Sequence, residues 1–145
     1  MFYTQDRDKL RQHWADVWKK ARNNEPMDAL ETLIARVIEA HPEYHALLDN
    51  EHHLANEYLP EMGETNPFLH MGMHLAIQEQ VVTDRPAGIR QLYENISEKT
   101  QDFQKTEHIM MDCLGEALWQ AQKEQKPADE TAYLNCVKHK FQTMS

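Results

Sequence analysis

The sequence predicts an all-α fold, a single-domain irregular bundle of about six or seven helices over residues 1–145. Three observations carry that expectation. Apolar residues recur at three- and four-residue spacing along most of the chain, and no strand-like alternation persists. Only four glycines and six prolines punctuate the 145 residues, so the segments between them are long. Hydrophobic content is 41% and charged content 27%, ordinary for a globular chain long enough to bury a core.

Each element has its own local signal. Residues 4–22 place Leu10, Trp14, Val17, Trp18 and Ala21 on one stripe, with Thr4 as N-cap. Asp28 and Glu31 have capping-box spacing ahead of Leu30, Leu33, Ile34, Val37 and Ile38. Pro42 ends that helix, because a residue before proline is pushed out of helical geometry. Residues 43–59 read as one or two short helices, followed by the turn-rich connector "PEMGETNP". Asn66 and Pro67 then form an N-cap and first-turn pair for a helix through about Val82. After "TDRP" comes a stripe of Ile89, Leu92, Tyr93, Ile96 and Phe103. A segment over 106–124 carries Met110, Leu114, Ala117, Leu118 and Ala121, and Asp129 caps a last helix with Tyr133, Leu134, Val137 and Phe141.

Charge narrows the function classes. The formal net charge is −9, which weighs against sequence-independent nucleic-acid binding. No apolar run approaches a bilayer span, and the start has no basic-then-apolar signal pattern, so the expectation is a cytoplasmic protein off the membrane. Two cysteines, Cys113 and Cys136, are too few for a disulfide framework and are expected to be reduced.

Residues 37–84 contain no Lys or Arg, yet hold nine carboxylates and six of the nine histidines. Neutral nitrogen donors and negative charge without competing cations suit a metal ion. Within that stretch, His70 and His74 are separated by about 400° of helical turn and share one face. Met71 stands where a zinc-protease helix has its catalytic Glu, so HExxH chemistry is excluded. Glu79 lies about 140° round the helix from His74 and does not complete the pair.

Further ligands must come from other segments. His108 and Asp112 are again i and i+4, with Glu116 one turn on. Gly115 in that helix costs about 1 kcal/mol relative to alanine. Close approach of the 67–82 helix there would bring His74 towards His108 and Asp112. Gly72 is expected to serve close packing on the face away from the histidines. The stretch "HPEYH" adds His41 and His45 at the same spacing, interrupted by Pro42. His41 is expected to cap a short helix that presents His45, with Glu43 nearby. The candidate ligand set is therefore His70, His74, His108 and Asp112, completed by His45 or Glu43. Such an N/O set fits iron, manganese or zinc.

The competing reading of the same residues needs no metal. One of His70 and His74 then bonds a backbone carbonyl in the core while the other faces solvent, and His108 with Asp112 is a surface hydrogen bond. Glu79 and Glu116 become solvated or salt-bridged, and His52 and His53 surface residues. Trp14 and Trp18 read as core, and so do the methionines near the site. Cys113 has no basic neighbour to activate it, and no Ser-His-Asp set or phosphate loop is visible.

"HPEYH", "NPFLHMGMHLAIQEQ", "DRPAGIR" and "DCLGEALWQAQ", in this order, resemble an uncharacterised bacterial family, the domain of unknown function 1841. The resemblance implies a small cytoplasmic protein without assigned activity and carries over no functional residues. At motif level, His53 with Glu57, His70 with His74, and His108 with Asp112 resemble the ligand order of hemerythrin-like diiron bundles. The last pair departs by one residue of spacing. Two function classes follow. One is a helical domain binding a transition metal through histidines and carboxylates. The other is a metal-free interaction or scaffold module whose acidic surface meets a basic protein partner or a second copy of the chain.

Overall fold

The computed structural model describes residues 2–49 and 66–144, with side chains from residue 8 onward. Among the described residues there are seven α-helices and no strand. They are α1 (Phe2–Arg22), α2 (Ala29–Glu39), α3 (His45–Asp49), α4 (Pro67–Thr83), α5 (Ile89–Thr100), α6 (Phe103–Glu124) and α7 (Glu130–Thr143), with a 3-10 turn at Pro42–Tyr44. The all-α expectation holds. Packing divides into two compact units, Met1–Leu75 and Ala76–Ser145. Of the one or two short helices expected over 43–59, the turn at Pro42–Tyr44 and α3 are described, while residues 50–59 and the connector at 60–65 lie outside the described residues.

In the first unit, α2 begins as its capping box requires. The Asp28 carboxylate accepts from the Glu31 backbone N–H at 2.7 Å, and Glu31 accepts from the Asp28 N–H at 3.1 Å. The apolar stripes of α1 and α2 then meet in one core of Trp14, Val17, Trp18, Ile34, Val37 and Ile38, closed by Leu48, Phe68 and Met71. Two ion pairs fasten its rim, Lys20 to Glu31 at 2.7 Å and Arg22 to Asp49. The second ties the basic first helix to the acidic middle segment. The Arg11 guanidinium lies over the Phe68 ring, 4.8 Å from its centroid. Two expectations need correcting here. Leu10 continues the α1 stripe in sequence but is 59% exposed. Helix α1 begins at Phe2 rather than at a Thr4 cap.

In the second unit, Ile89, Leu92, Ile96, Met110, Leu114, Tyr133 and Val137 are buried. Asp102 caps α6 by accepting from the Gln104 and Lys105 N–H groups, and Asp129 caps α7 through the Ala132 N–H. Gln101 adopts φ 53° and ends α5, which moves Phe103 off the α5 stripe and into α6, where it is 68% exposed. Tyr133 donates its hydroxyl proton to Gln80 Oε1 at 2.7 Å. Burial pushes the Tyr133 phenol up to about 12. Tyr93 donates to the buried Glu107 carboxylate at 2.7 Å; burial first, then Glu107, holds its phenol far above the usual range.

The two cysteines are not reduced. Cys113 on α6 and Cys136 on α7 form a disulfide with a Cα–Cα distance of 5.7 Å. A count of two cysteines carries no information about distance, and it is the packing of α6 on α7 that brings the pair into bridging range. Gly72 also departs from expectation: a Cβ built there meets nothing within 4 Å, so no close packing demands glycine.

Candidate metal centre

The geometry of the centre begins at the end of α2. Because Pro42 follows, His41 leaves the helix with φ −126° and ψ 68° and becomes the N-cap residue of the 3-10 turn. Its backbone N–H therefore bonds the Ile38 carbonyl at 3.0 Å, one residue short of the α-helical partner. The Val37 carbonyl left behind is claimed by the side chain, whose Nδ1–H donates to it at 2.7 Å. A carbonyl only accepts, so the proton of the neutral ring sits on Nδ1 and the lone pair on Nε2. That Nε2 is buried and has no hydrogen-bond partner, in a residue 3% exposed.

Helix α4 supplies the other two rings. Asn66 Oδ1 accepts from the Phe68 and Leu69 N–H groups at 3.0 and 3.2 Å. With Pro67 in the first turn, this fixes where α4 starts and hence which face its histidines occupy. Phe68 and Met71 bury one side of the helix. His70 and His74, one turn apart, have ring centroids 4.9 Å from each other. His41 stands 4.6 Å from His74 and 5.2 Å from His70. One nitrogen from each ring lies within 4.8 Å of the other two. His41 and His74 are buried and His70 is half-buried, so the group opens to solvent on the His70 side.

The surroundings orient the rings. Tyr44 stacks on His41 at 5.7 Å and meets His70 edge-on at 6.2 Å. Burial, with Glu43 adding to it, raises the Tyr44 phenol above its ordinary value. His45, from the same turn, sends Nε2–H to the Ile38 carbonyl at 2.8 Å and lays its ring against Trp18 at 4.4 Å. Two successive carbonyls at the end of α2 are thus each held by an imidazole.

Three nitrogens at about 2.1 Å from one tetrahedral ion are about 3.4 Å apart, against the 4.8 Å within which these three lie, so the group could hold a metal ion. The sequence pair His70/His74 belongs to the group, and His41 as capping residue is where expected. What sequence reasoning missed is that His41, rather than His45, turns towards the pair. The signal was present in Pro42, which forces the bend. Glu43 is exposed on the 3-10 turn. His108 and Asp112 belong to α6 in the second unit, where both are exposed and Asp112 pairs with Lys140 at 3.5 Å. Glu79 is exposed on α4.

The chain matches a family described as Domain of unknown function (DUF1841), over residues 6–139. No curated protein and no solved structure matches. The likeness to hemerythrins is not shown by these matches, and its His53 and Glu57 lie outside the described residues.

Proposed function

The chain belongs to the DUF1841 family, and we propose that it binds one divalent transition-metal ion through His41, His70 and His74. A single observation carries the reading. The buried Nε2 of His41 has no hydrogen-bond partner, its Nδ1–H is locked on the Val37 carbonyl, and the ring lies beside two further imidazoles. Metal-ligating histidines are ordinarily held in this way, one nitrogen fixed by a backbone acceptor and the other offered to the ion. Leaving a buried acceptor unsatisfied costs about 1–3 kcal/mol, and a metal ion removes that cost.

An all-imidazole group suits zinc or iron(II) better than manganese, which favours carboxylate oxygen. Three imidazoles of this chain would hold such an ion. Held by these three residues, zinc would supply Lewis-acid chemistry at the half-buried His70 side of the group. Elemental analysis of chelator-free protein is the test. About one zinc or iron per chain, lost in His41→Ala and in His74→Ala, supports the site; full occupancy in both variants removes it.

A second reading has an observation of its own. Leu118 and Trp119 are adjacent and exposed on α6, as an interaction module presents apolar side chains to a partner. A metal-free, well-folded protein that self-associates, and whose association is lost in Trp119→Ala, would favour it.

A further inference from the structure

We infer that the cavity between α6 and α7 is a thiol–disulfide exchange site for small neutral or cationic thiols. Two features meet there. Both partners of the Cys113–Cys136 disulfide line the cavity, whose volume is about 470 Å³. Its wall also carries Glu116, Glu124 and Asp129 against the single ammonium of Lys126. The volume exceeds that of a small thiol and its hydration, and the charge excess favours a cation over an anion.

The two cysteines differ in exposure. Cys113 is 1% exposed whereas Cys136 is partly exposed. An entering thiolate therefore attacks Cys136 Sγ. A mixed disulfide forms, the protein S–S bond breaks, and Cys113 Sγ departs with the electron pair and takes up a proton. A second thiolate then attacks the outer sulfur of the mixed disulfide and releases Cys136 as a thiol. Two small thiols are oxidised to one small disulfide while the protein disulfide is reduced to two thiols, so electrons balance. In reverse, a small disulfide is the oxidant that closes the bond.

The test uses the oxidised full-length protein and three monothiols: cysteamine, 2-mercaptoethanol and 2-mercaptoethanesulfonate. Reduction is followed by alkylation and intact mass. Each rate is expressed per thiolate and divided by that thiol's rate on a neutral small disulfide, which cancels intrinsic reactivity. The expected result is a cation-over-anion preference of roughly 3- to 10-fold at low salt, shrinking below about 2-fold at high salt. Glu116 and Glu124 are exposed, so the E116Q/E124Q double variant keeps its far-UV spectrum and loses the preference. Equal normalised rates, or a preference that survives in the double variant, overturn the inference. So does a disulfide that reacts only in denaturant. None of these outcomes depends on a metal at the histidine group.

Discussion

Replacing His41 with alanine tests the histidine group most sharply, because this ring acts on both the helix end and the candidate ion. Its Nδ1–H takes the place of the backbone bond that Val37 lost when the chain turned at Pro42. Removing it strips a buried carbonyl of a donor and leaves a void, a loss of about 2–4 kcal/mol without metal. The metal contribution is separable. Free zinc at about 100 times its Kd stabilises the native protein by about 2.7 kcal/mol, whereas a site weakened a hundredfold gains only about 0.4 kcal/mol. Urea titrations in zinc and in chelator, followed by far-UV circular dichroism, read both quantities. His45→Ala is the matched control. It removes the same kind of bond from the adjacent Ile38 carbonyl and is expected to keep the full zinc gain. A His41→Ala protein with an undiminished zinc gain, or a wild type with none, would refute the reasoning. A zinc gain lost in His45→Ala would add that residue to the ligand set.

Three further perturbations have definite outcomes. Asp28→Ala removes the capping box of α2 and should lower stability by about 1 kcal/mol, seen as a reduced urea midpoint at unchanged slope. Tyr133, whose phenol is raised to about 12 in the folded protein against about 10 in the unfolded chain, contributes stability that is complete below pH 10 and fades as pH rises to 12. A loss of about 1–3 kcal/mol over that window is expected, and Tyr133→Phe should flatten the alkaline limb of a stability–pH curve. The Cys113→Ser/Cys136→Ser variant opens a link between positions 23 residues apart and should cost about 2–4 kcal/mol by chain entropy, read as a lower urea midpoint than that of the oxidised protein.

Local chemistry was legible wherever neighbours in sequence do the work. The Asp28–Glu31 box, the Asn66–Pro67 start and the Asp129 cap act within four residues, and each appears as expected. The same holds for His70 and His74, which share a face by helical repeat alone. Legibility ended where a second element decides the outcome. Leu10 and Leu30 have the right period, yet they are 59% and 45% exposed. Cys113 and Cys136 meet only because α6 lies on α7. His41 was visible as a capping residue, but its ring direction depends on which carbonyl the bend at Pro42 leaves without a donor.

The contact between Trp18 and His45 gives the first unit an optical reading of itself. An imidazole against an indole face quenches its emission, more strongly when the ring is charged, and Trp18 is buried where its emission lies to the blue. Trp119, 54% exposed, emits to the red and is reached by aqueous quenchers. His45 bonds the carbonyl next to the one that holds His41, so a shift of the α2 end alters the distance from imidazole to indole. Trp14 is buried as well, so the blue component sums two indoles, and the share from Trp18 is the one that responds to His45, with no label attached.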